Sequence, residues 1–231
     1  MGADFDRIAS SYDKWYDTPL GKYAHELEKE LILQFAAPKK GERILDVGCG
    51  TGIYAIELAK MGLDVTCYDR SRNMLRVSWN KAQERRIHMN FVLGTAEKLP
   101  FRDRSFDLII SITTLEFIEH PALVVNEMKR VLRRSGRIVL GVLNSWSSWA
   151  IERKLKSLVR ESVFKYARFY NPLELTTMLR PMKVEWDSTL LLPPETPEFV
   201  LNGGKKIEKF LVKILKPFGA FICLKATWRG R

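Results

Sequence analysis

The chain has 231 residues, of which 46% are hydrophobic, enough for one α/β domain with a sizeable core. No segment approaches the roughly 18 uninterrupted apolar residues of a membrane-spanning helix, and the first residues lack the apolar stretch of a secretory signal. Three widely spaced cysteines fit reduced thiols, and no Cys or His pair has metal-ligand spacing. We therefore expect a cytoplasmic protein without a metal site.

The formal net charge of +11 is unevenly distributed along the chain. Residues 129–168 contain eleven Lys and Arg residues against two Glu, and residues 202–231 contain eight against one Glu. A basic carboxyl-terminal half can attract nucleic acid, an anionic membrane or an acidic small substrate. It can equally be a solvated, charge-rich surface of the kind found in heat-adapted proteins.

The first forty residues read as two helices, over 3–16 and 20–37. Leu27, Leu31 and Phe35 recur at helical spacing in the second of them. Pro38 and Gly41 then end this region.

From residue 43 onward, apolar strands alternate with amphipathic helices. We predict strands at 43–47, 64–68, 89–93, 106–111 and 136–143, and helices at 52–61, 71–86 and 120–133. This alternation is typical of a parallel sheet that helices cover on both faces. Such sheets bind ligands at the carboxyl ends of their strands, near the change in strand order.

The alternation stops after Asn144. The pattern there predicts helices at 147–162, 172–180 and 205–215, and strands at 183–191 and 219–227. We interpret this region as an extension of the same sheet that also covers the ligand site.

A glycine-rich turn follows the first strand, in the sequence ILDVGCGTG over residues 44–52. Gly48, Gly50 and Gly52 let a ligand lie against bare backbone, and the next helix offers free N–H groups. Asp69 ends the next strand, where a carboxylate can accept both hydroxyls of a ribose. The spacing G-x-G-x-G differs from the G-x-G-x-x-G of dinucleotide oxidoreductases without excluding NAD, so the pattern indicates an adenosine-type ligand.

Four features together resemble the class I S-adenosylmethionine-dependent methyltransferases: ILDVGCGTG, Asp69, GTAEKLPFRDRSFDLII and LRRSGRIVL. The resemblance is strongest to the type 11 branch, which includes ubiquinone and menaquinone biosynthesis methyltransferases, and FDRIASSYDKWYD resembles that branch's first helix. It covers residues 5–144. It implies a Rossmann-like α/β fold with seven strands, mostly parallel with one antiparallel, and helices on both faces. It also implies S-adenosyl-L-methionine as cofactor and S-adenosyl-L-homocysteine as product.

On this basis we expect a single methyltransferase domain over residues 1–231. Residues 1–40 would form a helical cap with the N-terminal helices, and residues 41–144 the cofactor-binding core. Residues 145–218 would form a helical lid and sheet extension on the substrate side, and residues 219–231 the final strand.

The resemblance also implies which residues bind the cofactor: Tyr12, Tyr16, Asp46, Gly48, Cys49, Gly50, Gly52, Asp69, Arg70, Thr95, Ala96, Ile112 and Thr113. The glycine-rich turn would line the methionine part, Asp69 would bind the ribose diol, and Arg70 would flank the adenine. Family members commonly have Asp where Thr95 stands. An uncharged hydroxyl there should make a weaker bond to the adenine amino group.

Several of these residues also have a purely structural interpretation. Asp46 could hold the turn by accepting backbone N–H groups. Asp69 could cap the following helix, although Ser71 is better placed to do so. Tyr12 and Tyr16 could be ordinary packing aromatics of a helix.

A sulfonium methyl is already activated, so the enzyme mainly has to align the acceptor and exclude water. A general base is needed only if the acceptor loses a proton at or before attack. The candidates for this role are Glu116, Glu119, His120, Tyr166 and Tyr170. We favour Glu116 as the catalytic residue because it follows the carboxyl end of a strand, whereas His120 fits a helix cap. No Asn-Pro-Pro-Tyr motif follows that strand, which argues against the familiar amino-group methyltransferases of nucleobases and glutamine.

Two basic amphipathic helices, at 149–166 and 205–216, bear on the identity of the acceptor. Their apolar stripes are Ile151, Leu155, Leu158, Val159, Val163 and Tyr166 in the first and Ile207, Phe210, Leu211, Ile214 and Leu215 in the second. Trp146 and Trp149 precede the first helix. Each pattern is typical of a lid that packs on the sheet, and also of a helix lying on an anionic membrane.

Three hypotheses on function follow. We favour methyl transfer to a small or lipophilic acceptor, such as a quinone precursor or a lipid headgroup taken at the membrane surface. The alternative is an RNA or protein methyltransferase that uses the basic half as an electrostatic track, although no appended RNA-binding module is present. A non-catalytic cofactor-binding protein is the third, against which the complete turn and Asp69 argue.

Overall fold

Seven strands form one sheet in the described part of the chain, residues 4–159 and 163–229 of a computed structural model. They are β1 (Arg43–Val47), β2 (Asp64–Asp69), β3 (Asn90–Leu93), β4 (Phe106–Ile112), β5 (Leu132–Leu143), β6 (Lys183–Thr189) and β7 (Phe221–Thr227). Their order across the sheet is β3-β2-β1-β4-β5-β7-β6, so the order reverses between β1 and β4. Strand β7 runs antiparallel to β5 and β6, and the other neighbours are parallel, which confirms the predicted sheet.

The α-helices are α1 (Phe5–Ile8), α2 (Lys14–Asp17), α3 (Pro19–Ala36), α4 (Ile53–Lys60), α5 (Arg72–Glu84), α6 (Pro121–Val131), α7 (Ser148–Val159), α8 (Pro172–Met178) and α9 (Glu198–Leu215). Short 3₁₀ helices lie at Leu115–Phe117, Val163–Tyr166 and Lys216–Phe218. None of the described helices has the length and apolar character needed to cross a bilayer.

Alternate residues of the strands feed a separate core on each face of the sheet. Ile44 of β1 belongs to the core that contains Leu27 of α3 and Ile56 of α4. Its neighbour Leu45 belongs to the core on the opposite face, with Val124 of α6. Because successive side chains of a strand point to opposite faces, strands covered on both sides read as continuous apolar runs.

Side-chain caps fix where several helices begin. The Ser71 hydroxyl accepts from the backbone N–H of Met74 at the start of α5, as its position in the sequence predicts. At the start of α8, Asn171 and Glu174 form a reciprocal capping box. Local sequence therefore determines these boundaries.

The prediction of one helix over residues 3–16 is wrong. Turns separate α1 from α2, and the side chain of Asp13 is turned away from both helices. It accepts hydrogen bonds from Thr51 and Lys81 instead. Contacts with residues far away in the chain therefore hold this segment, and a continuous helix does not form.

Two other element boundaries differ from prediction by four residues or more, and the remaining differences are smaller. Strand β5 begins at Leu132, four residues early, where Leu132 pairs with Phe106 of β4. The next residue, Arg133, donates two hydrogen bonds of 2.7 Å to the carboxylate of Asp107. Helix α9 begins at Glu198 and passes through Gly203 and Gly204.

A glycine suits position 204 because an added Cβ would lie only 3.0 Å from Leu192 and 3.3 Å from Tyr23. Close packing against these neighbours thus offsets the weak helix propensity of glycine. Parts of the predicted cap, lid and final strand, at residues 1–3, 160–162 and 230–231, lie outside the described residues.

Candidate functional site

The glycine-rich turn joins β1 to α4, and its three glycines serve different purposes. All three have left-handed backbones, with φ of 75° at Gly48, 53° at Gly50 and 77° at Gly52. An added Cβ would lie 2.2 Å from Thr114 at Gly48 and 2.0 Å from Ser78 at Gly52, but would meet nothing within 4 Å at Gly50. Gly48 and Gly52 therefore allow close packing, while Gly50 leaves open space beside the turn.

Asp69 lies at the carboxyl end of β2, beside this turn. Its carboxylate accepts the backbone N–H groups of Gly50 and Ser71, each at 2.8 Å. Burial raises the pKa of Asp69, and these hydrogen bonds oppose the rise. Asp69 thus supports the turn, and a carboxylate with about four lone-pair sites can still accept a hydroxyl.

Asp46 is buried in β1 one strand away. Burial, with the nearby Asp69 as a second cause, raises the pKa of Asp46 to about 8. No hydrogen bond from the described residues reaches its carboxylate, so the alternative that it holds the turn finds no support in the structure. A cationic ligand group would supply the missing partner, and the amino group of S-adenosylmethionine has that charge.

A cavity with about 1040 Å³ of empty space, partly open to solvent, lies over these strand ends. Every residue predicted to bind the cofactor lines it except Gly52, which faces Ser78 of α5. The Thr95 side chain is exposed at its edge, where its backbone carbonyl accepts from Tyr68 at 2.9 Å.

Several lining residues were not predicted from the sequence. Among them, Phe5, Tyr54, Met74, Phe117 and Ile118 make the cavity wall strongly apolar. Tyr54 comes two residues after the last glycine of the turn, and Phe5 lies within the segment FDRIASSYDKWYD. Their positions near recognised motifs were the only available signal, because apolar residues carry no spacing that distinguishes a ligand wall from a core.

Two aspartates hold the amino-terminal segment over the cavity. Asp6 accepts from the Ser71 hydroxyl at 2.6 Å and from the backbone N–H of Asn73 at 3.0 Å, at the start of α5. Asp13 accepts from the Thr51 hydroxyl at 2.6 Å and from the Lys81 ammonium at 2.7 Å. These hydrogen bonds tie the segment to the glycine-rich turn and to α5.

Several tyrosines line the cavity, and one of them contacts a buried carboxyl group of α3. Tyr12 and Tyr16 line the cavity with ring centroids 6.3 Å apart, and burial raises the pKa of Tyr12 to about 12. Tyr54, also in the wall, donates its hydroxyl to Glu28 at 3.1 Å. Burial raises the pKa of Glu28 to about 7, and its hydrogen bond from Tyr54 opposes the rise. Glu28 was not predictable from the sequence, because no motif marks it.

Glu116 lies in the 3₁₀ helix after β4 but does not line the cavity. Its carboxylate accepts the backbone N–H of Leu143 at 2.7 Å, while Oε2 is buried without a hydrogen-bond partner. Burial raises the pKa of Glu116 to about 7, with the nearby Arg153 as an opposing influence. The Arg153 guanidinium lies over the rings of Trp149 and Phe164, at 5.0 and 4.8 Å from their centroids.

The other candidates for proton handling also lie outside the cavity lining. His120 is the cap residue of α6 without a side-chain cap bond, and Glu119 is exposed. Tyr170 is fully buried and donates to the backbone carbonyl of Leu115 at 3.1 Å. Tyr166 is about half exposed.

Comparisons with known proteins agree with this architecture. A family model described as a methyltransferase domain, of type 11, matches residues 45–140. An uncharacterised protein of Methanocaldococcus jannaschii is 34% identical over 182 residues, which cover 77% of this chain and 79% of that protein. A ubiquinone biosynthesis O-methyltransferase of Photobacterium profundum is 27% identical over 228 residues, which cover 93% of this chain and 96% of that protein.

A solved structure from Thermotoga maritima shares the fold. It is a SAM-dependent methyltransferase, described as a possible histamine N-methyltransferase, and superposes with a TM-score of 0.75 at 22% identity. The match covers 97% of this chain and 98% of that one. This chain belongs to the class I S-adenosylmethionine-dependent methyltransferases, in their type 11 branch, and S-adenosylmethionine is its methyl donor.

Proposed function

We propose that the protein transfers the methyl group to a small, lipophilic acceptor that enters the cavity beneath the amino-terminal segment. The observation that carries this proposal is the character of the wall that Phe5, Tyr12, Tyr16, Tyr54 and Phe117 form. An aromatic wall beneath the amino-terminal segment suits a compact apolar molecule better than a polymer chain.

We propose that the predicted residues hold the cofactor as follows. Asp69 accepts the ribose hydroxyls with its remaining lone pairs, and Asp46 balances the charge of the amino group. The backbone at Gly50 lies against the methionine part, since a Cβ there would occupy the open space. Thr95 and Ala96 lie beside the adenine, with Arg70 flanking it.

When bound, S-adenosylmethionine supplies an activated methyl whose leaving group is a neutral thioether. The chain's own contribution is alignment and exclusion of water. Tyr12 and Tyr16 line the cavity together with Thr113, which follows β4, and so limit the directions from which an acceptor can approach. Asp6 and Asp13 keep these tyrosines in place through their hydrogen bonds to α5 and to the turn.

An acceptor hydroxyl or amine must lose a proton, and two buried carboxyl groups lie near the cavity. Glu28 is connected to the wall by the Tyr54 hydroxyl, so a proton can pass to it through one hydrogen bond. Glu116, our candidate from the sequence, lies behind the wall and can act only through neighbouring groups. We therefore propose it as a positioning residue, with its carboxylate holding Leu143 of β5.

A phenolic quinone precursor is the acceptor class that we favour. A relative that matches nearly the whole chain is named a ubiquinone biosynthesis O-methyltransferase, and a phenol fits an aromatic wall.

Transfer of a radiolabelled methyl group tests the proposal. The protein would be incubated with methyl-labelled S-adenosylmethionine and cell extract separated into lipid, RNA and protein fractions. We expect label in the organic-soluble fraction, and none when Asp69→Ala replaces the wild type. Label in the RNA or protein fraction would support the alternative acceptors and overturn the lipophilic one.

A further inference from the structure

Helix α9 packs against the molecule through one narrow face. Leu201, Gly204 and Glu208 are buried on this face. The Glu208 carboxylate accepts from the backbone N–H of Leu191 at 2.6 Å and from the Tyr23 hydroxyl at 3.3 Å. These contacts attach the helix to α3 and to the segment after β6, so its core-facing side is already occupied.

A second face carries lysines. Lys205 and Lys209 form ion pairs with Glu26 and Glu30 on the neighbouring α3. Lys206 and Lys213 lie farther round this face and have no ion-pair partner among the described residues. Part of the positive charge of the helix is therefore free to meet an anionic surface.

The third face is apolar and exposed. Its side chains are 78% exposed at Phe199, 51% at Ile207, 63% at Phe210 and 65% at Ile214, and the stripe continues to Phe218 at 52%. At about 100° per residue, this face lies roughly a third of a turn from both the buried face and the lysine face. Part of the stripe predicted from the sequence thus points away from the protein instead of onto the sheet.

Nothing in the described fold uses this exposed stripe. Large side chains left in water at regular helical spacing mark an interaction surface. A second copy of the chain is a poor occupant, because the lysines that flank the stripe would approach each other. A bilayer with anionic headgroups satisfies both features, since its acyl region accepts the apolar side chains while its surface attracts the lysines.

We propose that α9 docks the enzyme on anionic lipid bilayers, with Phe199, Ile207, Phe210, Ile214 and Phe218 inserted at the headgroup boundary and Lys206 and Lys213 against the headgroups. This inference stands apart from the proposed function, since the helix would bind lipid whatever the methyl acceptor is.

Vesicle flotation with the full chain tests this proposal. We expect the wild type to float with mixed phosphatidylglycerol and phosphatidylcholine vesicles at low salt, to release as salt rises, and to float poorly with phosphatidylcholine alone. The double variant Phe210→Gln with Ile214→Gln should lower the partition coefficient at least about tenfold. Lys206→Gln with Lys213→Gln should lower it roughly ten- to thirtyfold.

Two matched variants control for polarity and charge. Leu123→Gln with Leu173→Gln changes two equally exposed leucines on other helices, and Lys205→Gln with Lys209→Gln removes the two ion-paired lysines. Both should stay within about twofold of wild type, because neither alters the docking face. Equal losses for both lysine pairs would overturn the assignment, since net charge alone would then account for binding.

Two further results would also overturn the proposal. One is absence of flotation at low salt. The other is a dimer in light scattering that Phe210→Gln with Ile214→Gln converts to monomer, which would assign the stripe to self-association. Because all the substituted side chains are exposed, unchanged thermal unfolding should show that the variants fold.

Discussion

At the scale of single residues, two acidic side chains on neighbouring strands have different surroundings. Asp69 accepts two backbone N–H groups, whereas no hydrogen bond from the described residues reaches Asp46. The protein itself therefore partly stabilises the charge of Asp69, whereas Asp46 depends on a ligand for a hydrogen-bond partner. Both Asp46 and Asp69 should therefore contribute strongly to the affinity for a cationic cofactor, for different physical reasons.

Substitution of Asp69 gives the first prediction at this scale. Asp69→Ala should weaken binding of S-adenosylhomocysteine at least about a hundredfold, because the two hydrogen bonds from the ribose hydroxyls to a charged acceptor contribute about 1.5–3 kcal/mol each, or about 3–6 kcal/mol together. Titration calorimetry would measure this loss. Thr95→Val is the matched comparison, since it removes a single uncharged hydroxyl and should cost less than about tenfold. Equal effects of the two variants would contradict the assignment of the ribose to Asp69.

The candidate residues show which parts of the site can be predicted from the spacing of motifs in the sequence. The glycine-rich turn and Asp69 were predictable because each belongs to a strand end with a recognisable pattern. Glu28 and Tyr54 were not, because they meet through the packing of α3 against α4. Glu116 was predicted from its position after a strand, but the orientation of its side chain depends on Leu143, 27 residues away.

At the scale of elements, the amino-terminal segment is held by tertiary contacts and has little helical structure of its own. Its helices α1 and α2 have four residues each, too few for independent stability. Asp6 and Asp13 supply the attachment, through hydrogen bonds to α5 and the glycine-rich turn. Closure of the cavity therefore depends on these two side chains.

Asp13→Asn tests this dependence. The variant loses the charge that pairs with Lys81, so the segment should open more often and S-adenosylhomocysteine should bind about three- to tenfold more weakly. Limited proteolysis should also cleave the segment faster than in wild type. Asp17→Asn is the control, because Asp17 is exposed in the same segment. Unchanged affinity in Asp13→Asn would show that the segment closes without this contact.

Helix α9 shows a related limit of sequence patterns. Apolar side chains at helical spacing indicated one stripe, typical both of a lid that packs on the sheet and of a helix on a membrane. In the structure Ile207, Phe210 and Ile214 are exposed while Leu211 is partly buried. Amino-acid composition cannot predict which side of an apolar helix packs on the protein and which side stays exposed. The contact of Glu208 with Tyr23 and Leu191 decides that division here.

At the scale of the whole molecule, three buried carboxyl groups make stability depend on pH. Burial raises the pKa of Asp46 to about 8 and those of Glu28 and Glu116 to about 7. The folded protein then binds protons more tightly than the unfolded chain, whose Asp and Glu groups titrate near pH 4. Without cofactor, the contribution of these three groups to the free energy of unfolding should therefore be highest below about pH 4.5. It should fall as the pH rises toward 8.

Glu28→Gln tests this linkage. The amide can still accept from Tyr54 but carries no charge, so at pH 8 the variant should be more stable than wild type by roughly 2–3 kcal/mol. At pH 4.5 the two proteins should differ little, because Glu28 is then protonated in the folded state. Urea unfolding at both values measures the difference. A pH-independent difference would mean that packing, and not ionisation, separates the variant from wild type.

The sequence by itself determined the order of strands and helices, the glycine-rich turn, the acid at the end of β2 and the methyl donor. The first three of these features depend on periodicity, backbone preference and spacing, which act within a few residues, and the methyl donor followed from the resemblance of these motifs to a family. Only the tertiary structure decided that Gly50 alone of the three glycines faces open space, that Glu116 lies behind the cavity wall, and that α9 keeps an exposed apolar face. Each of these outcomes depends on burial by residues far away in the chain, and no local pattern encodes which neighbours will be there.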